Sequence, residues 1–181
     1  MEQEYESLRQ EIRAWQNRRF TTLAASITIV SGILGLDVVQ ESTFSGSWPI
    51  LTSLLWFFLG STIALIWYAG RANAKIAAYL IVFHEKNAGG WESRLTELKA
   101  SGLDWFSLNR MVFLIFVSLG ILSFVIPWSV RGLQEIPNWH TLLLLITGIW
   151  FCFGLMLLMW GYSREKYIDK WIDVATQSSP Q

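Results

Sequence analysis

Charge is scarce in this chain. Asp, Glu, Lys and Arg make up 15% of its 181 residues, against about a quarter in a soluble domain. The scarcity is uneven, and Phe20 to Gly70 holds no Lys or Arg. Formal net charge is zero, so the basic field that nucleic-acid binding draws on is missing. Cys152 is the only cysteine and lies in an apolar run. That excludes an intramolecular disulfide and a multi-cysteine metal site. Met1 to Arg19 lacks the short basic start, apolar core and small-residue cleavage site of a secretory signal, so the first apolar run is expected to be kept as a signal-anchor. There is no lipidation box and no Asn-x-Ser/Thr acceptor. No Walker loop, GxGxxG or GxSxG elbow is present. The two histidines, His84 and His140, are expected on opposite sides of the membrane and lack the close companions that zinc needs.

Apolar residues fill the gap. They make up 52% of the chain, and mean hydropathy is +0.36. A bilayer core of about 30 Å takes about 20 apolar residues in a helix. Four runs qualify: Phe20 to Val39, Trp48 to Tyr68, Met111 to Val130 and Trp139 to Tyr162. The expected fold is therefore all-α, a four-helix membrane bundle built as two hairpins. It forms a single membrane domain over 1–181. Residues 1–19, 69–110 and 163–181 are expected as helical extensions outside the membrane.

Lys and Arg set the orientation, because they stay on the cytoplasmic side. Thirteen of the fourteen lie in the N-terminal segment, the middle segment and the tail, and Arg131 alone falls in a short loop. Both termini and the middle segment are thus expected in the cytoplasm of a multi-pass inner or plasma membrane protein. Trp and Tyr favour the headgroup level. Trp48, Trp128 and Trp139 mark the outer ends of spans, and Trp67, Tyr68, Trp160 and Tyr162 the inner ends. Trp56 and Trp150 lie mid-span and are expected against other helices.

The extensions are amphipathic. Tyr5, Leu8, Ile12 and Trp15 are spaced three, four, three, which makes a seam like that of a coiled coil. Ile76, Tyr79, Leu80 and Phe83 form a matching stripe after the second span. The two should pair antiparallel, with Gly89-Gly90 ending the second helix. A short helix is expected over Trp91 to Ala100, and the tail from Arg164 to Ala175 repeats the pattern with Ile168, Trp171, Ile172 and Ala175.

Span one carries a small, hydroxylated face: Thr21, Ala25, Thr28, Gly32 and Gly35. Such faces let helices approach closely in lipid, and the same residues could line a polar pore. Ser53, Gly60 and Ala64 of span two are expected to receive it. Asp37 is the one acid inside a span, a candidate acid at an outer mouth. His84 is expected to face solvent or headgroups at a helix end. The acids Glu85, Glu92, Glu97 and Asp104 lie near the inner face with it, but no catalytic residue, cofactor or metal is assigned.

The run Glu4 to Ile12, the stretch Ala74 to Leu80, Val82 to Glu85 and Trp91 to Leu95 resemble a family of uncharacterised bacterial four-span membrane proteins. The likeness covers about residues 4 to 95 and implies no binding or catalytic residue. The first half also resembles the two-span SLATT modules, bacterial proteins proposed as pore-forming effectors. It departs from them by its second hairpin and by lacking an attached sensor domain. The expected function is that of a non-enzymatic, self-associating membrane protein, pore-forming or effector-like. Its partners are the bilayer, further copies of itself and a protein on the cytoplasmic side. The alternative is an accessory or scaffold subunit. A transporter ranks lower, since Pro49 and Pro127 fall at span ends and no span has a central charge. A membrane enzyme ranks lower too.

Overall fold

The computed structural model describes residues 2–39, 48–85, 108–131, 138–160 and 164–177. It is all-α there, in five helices: α1 Glu2–Val39, α2 Trp48–Phe83, α3 Leu108–Arg131, α4 Asn138–Trp160 and α5 Arg164–Gln177. Four of them are long and apolar enough to cross a membrane, and the chain is a multi-pass membrane protein. α1 and α2 have 38 and 36 residues. At 1.5 Å per residue they are about 57 and 54 Å long, nearly twice the hydrocarbon core. Each span therefore continues into its charged extension without a break. α2 stops at Phe83, where the N–H groups of His84 and Glu85 both donate to the Leu80 carbonyl at 2.9 and 3.0 Å. Gly89-Gly90 and the helix expected over Trp91 to Ala100 lie outside the described residues.

The helices divide between two compact units. One draws on Thr21–Trp67 and Leu108–Trp160, the other on Met1–Phe20, Tyr68–Ser107 and Gly161–Gln181. The first is the apolar unit. Its core joins Val30 and Leu34 of α1, Leu55, Leu59, Ile63 and Ile66 of α2, Val112, Phe116 and Leu119 of α3, and Phe151 and Leu158 of α4. Lipid offers no hydrophobic drive between helices, so packing depends on close approach and on hydrogen bonds.

The close approach occurs at glycines. A Cβ on Gly60 would lie 2.6 Å from Trp150 Cδ1 and 3.3 Å from the Phe151 Cα, and one on Gly154 would lie 3.3 Å from the Gly60 carbonyl oxygen. Span two therefore uses Gly60 to receive α4, not α1 as its spacing implied. Ser53 is buried and donates to the Pro49 carbonyl of its own helix at 2.7 Å. A bare backbone shows that something comes close, but the large flat indole of Trp150 decides what.

The hydrogen bonds repair a break in α3. Pro127 lies inside that helix and has no N–H, which orphans the carbonyl four residues earlier. That carbonyl belongs to Ser123, and Thr52 Oγ1 of α2 donates to it at 3.0 Å. One turn away, Trp56 Nε1 donates to the Gly120 carbonyl at 3.1 Å, and its ring stacks on Phe124 and Phe151. Five further hydroxyls bond within their own helices. Ser26, Ser61, Thr62, Ser118 and Thr147 all donate to carbonyls four residues back, so none presents a bare donor to hydrocarbon.

In the charged unit α1 and α2 run antiparallel, with Tyr5 beside Glu85 at one end and Trp15 edge-on to Tyr68 at the other. Ile12, Ala77 and Leu80 are buried between them, with Tyr5, Leu8 and Ile76 packed alongside. α5 docks through Trp171, whose ring stands nearly perpendicular to Tyr79 and Phe83 at 5.2 and 6.1 Å.

Candidate functional site

Two sets of residues singled out in the sequence come to distinct places. The first is the small face of α1. Thr21, Ala25, Thr28, Ser31, Gly32 and Gly35 are all exposed, and Val30 and Leu34 are buried on the helix's other side. Thr28 donates to the Ala24 carbonyl at 3.0 Å. A Cβ on Gly32 or Gly35 would meet nothing within 4 Å. The contrast with other glycines is informative. Gly60, Gly120, Gly148 and Gly154 each have a neighbour that a Cβ would touch: Trp150, Phe151, Trp56 and Ile63 respectively. Glycine inside a helix costs about 1 kcal/mol relative to alanine. In those four places tight packing offsets the cost, and at Gly32 and Gly35 nothing among the described residues does. The outward stripes of the other spans are bulky: Leu54, Phe57 and Leu65 on α2, Ile121, Leu122 and Val125 on α3, Ile149, Phe153 and Met156 on α4. Phe20, Ile29 and Leu36 flank the small face on α1. Asp37 lies on α1, but its side chain falls outside the described residues.

The second set is the seam. Of its eight residues, Tyr5, Leu8, Ile12, Ile76 and Leu80 share one apolar cluster. Trp15 meets Tyr68, and Tyr79 and Phe83 meet Trp171. The seam ends in a polar knot. Tyr5 donates its hydroxyl to Glu85 Oε1 at 3.2 Å, and Tyr79 donates to Glu4 Oε1 at 3.0 Å. His84 Nε2 lies 3.8 Å from the same Glu4 oxygen, and its side chain is only 9% exposed. Its ring sits between those of Tyr5 and Tyr79, at 6.0 and 5.8 Å. This corrects the solvated position expected for His84: rings from two helices cover it, and no single-helix pattern shows that. Glu85 is buried as well. Both phenols have raised pKa values. For Tyr5 the causes are burial first, then the Glu85 charge and hydrogen bond. For Tyr79 they are burial, then the hydrogen bond to Glu4 and its charge.

His140, which opens α4, is buried, and neither ring nitrogen has a hydrogen-bond partner among the described residues. Trp139 packs on its ring at 3.7 Å. Among the described residues no group of three His, Cys, Asp or Glu side chains is placed to hold a metal. Glu92, Glu97 and Asp104 lie outside them. The polar knot is thus a structural clasp with two carboxylates, two phenols and an imidazole, while the α1 face is a bare helix surface. Comparison with protein families, with curated proteins and with solved structures returns no match.

Proposed function

We propose that this is a self-associating membrane protein whose assembly face is the small side of α1. The carrying observation is the pair Gly32 and Gly35, exposed and unopposed while the other described span glycines are each closed by a neighbour. In lipid, small residues let two backbones come within van der Waals contact, which bulky stripes forbid. A second copy brings the same smooth face. If several α1 helices gather in a ring, Thr21, Thr28 and Ser31 supply hydroxyls for a polar lining, the pore-forming version that the SLATT resemblance implies. Both termini then lie in the cytoplasm. No catalytic residue, cofactor or metal enters this reading. The alternative, an accessory subunit, draws on the exposed Ile172 and Val174 of α5.

The test is mass measurement of the full chain in lipid nanodiscs and mild detergent. Wild type should be oligomeric. The double variant Gly32→Leu/Gly35→Leu should be monomeric with helicity no lower than wild type, since neither new side chain meets anything within the described residues and leucine favours helix over glycine. Gly60→Leu is the control for misfolding: it drives into Trp150 and should lose about 1–3 kcal/mol or more of stability. A monomeric wild type ends the proposal. An oligomeric wild type that carries no current in planar bilayers ends the pore version alone.

A further inference from the structure

The charged unit holds a groove that the assembly reading does not use. Its walls are Glu11 and Trp15 of α1 and Tyr68, Arg71, Lys75 and Ile76 of α2, and it encloses about 390 Å³. Small-molecule sites run from about 300 to 1,000 Å³. The lining is mixed by design of the sequence: Trp15 and Tyr68 meet edge-on at 6.2 Å, and two cations stand one helical turn apart on α2. Tyr167 of α5 contacts both cations. Arg71 Nε donates to the Tyr167 hydroxyl at 2.8 Å, and Lys75 Nζ lies 5.9 Å from the centre of the Tyr167 ring. Among the described wall residues Glu11 is the one acid, and it accepts a hydrogen bond from Trp15 Nε1 at 3.4 Å. Over the described wall residues the formal charges sum to one unit positive.

Depth decides what such a groove meets. The apolar run of α2 ends at Tyr68, and that of α1 begins at Phe20. Tyr68 therefore stands at the hydrocarbon boundary and Trp15 about 8 Å outside the apolar run of α1, both at the level where amphipathic rings settle. Arg71 lies about 5 Å and Lys75 about 10 Å further along the helix axis. A lysine stem can lie along apolar surface and return its ammonium toward the boundary. This is the headgroup layer, where phosphodiesters are the abundant anions, and basic pockets at that level on membrane helices bind anionic lipid headgroups. We propose that the Trp15–Tyr68–Arg71–Lys75 groove seats the phosphodiester of one anionic phospholipid, with Lys75 and Arg71 on the phosphate and the two rings against the glycerol. The site rests on membrane insertion and not on self-association, so it can fail without the assembly face failing.

Native mass spectrometry of the full chain, loaded from mixed micelles of phosphatidylglycerol or phosphatidylcholine with the same acyl chains, tests this. Wild type should retain one phosphatidylglycerol at collision energies that strip phosphatidylcholine. Lys75→Gln should lose that preference and Lys75→Arg should keep it. Glu11→Gln should strengthen retention, because it removes the opposing charge. Arg13→Gln and Lys166→Gln, at exposed cations off the groove, should change nothing. The backbone carbonyl of Lys75 still accepts from Trp171 Nε1 in every variant at position 75, so α5 keeps its Trp171 anchor when the Tyr167 contact is lost, and circular dichroism checks the fold. Equal retention of the two lipids by wild type overturns the proposal. So does a Lys75→Gln protein that behaves as wild type. Thermal protection by inorganic phosphate alone, matching that by phosphatidylglycerol, would also overturn it, since the site would then take a free anion and not a lipid.

Discussion

At the scale of single residues, the clearest dependence is between Thr52 and Pro127. Proline at 127 leaves the Ser123 carbonyl without its helical donor, and the Thr52 hydroxyl on another helix supplies one. A buried carbonyl left bare costs about 1–3 kcal/mol. Thr52→Val should therefore destabilise the protein by about 1–2 kcal/mol, and Thr52→Ser should not. Pro127→Ala restores an N–H in line with Ser123. The Thr52→Val loss should then shrink by about 1 kcal/mol in that background, the size of a cross-helix hydrogen bond in a membrane. Equilibrium unfolding of the four proteins of this double-mutant cycle measures the coupling, and strict additivity would show that the two residues act alone. Neither partner was legible beforehand. Pro127 reads as a span-end proline, and a threonine in a span reads as packing. Only the spatial meeting of α2 and α3 turns them into donor and orphan.

At the scale of elements, the charged unit is a clasp of three helices, and its two ends should respond separately. Tyr5 and Tyr79 both have pKa values raised above the ordinary value of about 10. A raised value in the folded state means that folding favours the neutral phenol. The stability this gives is complete below pH 10 and is lost as pH climbs through the raised values. Absorbance titration of tyrosinate should show two late-ionising phenols. Glu85→Gln should bring the Tyr5 ionisation partly back and leave that of Tyr79 alone, because burial, the larger cause for Tyr5, remains. Coincident titration of all five tyrosines in wild type would refute the clasp. At the other side of the pair, α5 is held mainly by Trp171 against Tyr79 and Phe83. Trp171→Ala should release it: hydrogen exchange within α5 should speed up while that of Ile12 and Leu80 stays protected. The pairing of α1 with α2 could be read from the three-and-four spacing of Tyr5, Leu8, Ile12 and Trp15, because the seam residues repeat within one helix. The knot at its end could not. Its members lie about 80 residues apart in two groups; Tyr5 and Tyr79 read only as apolar seam residues, and Glu4, His84 and Glu85 as ordinary polar residues near helix ends, until the other group arrives.

At the scale of the whole molecule, the number of crossings follows from length and apolarity alone, which is why four spans are legible without any knowledge of packing. Direction follows from a different quantity, the placement of cations, and therefore needs its own test. Thirteen of fourteen Lys and Arg residues lie in the segments that α1, α2 and α5 extend into, and Arg131 is the exception. Loops rich in Lys and Arg are kept on the cytoplasmic side, so the expected arrangement puts these segments in the cytoplasm. Cys152→Ser removes the only native thiol. In that background, single cysteines at the exposed Ser7, Asn138 and Asp173 report on the N-terminal extension, the start of α4 and α5. A membrane-impermeant maleimide added to intact cells should label Asn138→Cys and spare Ser7→Cys and Asp173→Cys until the cells are lysed. The reverse pattern would invert the protein and put the cation-rich groove in the outer leaflet. Labelling of Ser7→Cys and Asp173→Cys from different sides would mean an odd number of crossings. That would contradict the docking of Trp171 of α5 against Tyr79 and Phe83, which needs both extensions on one side.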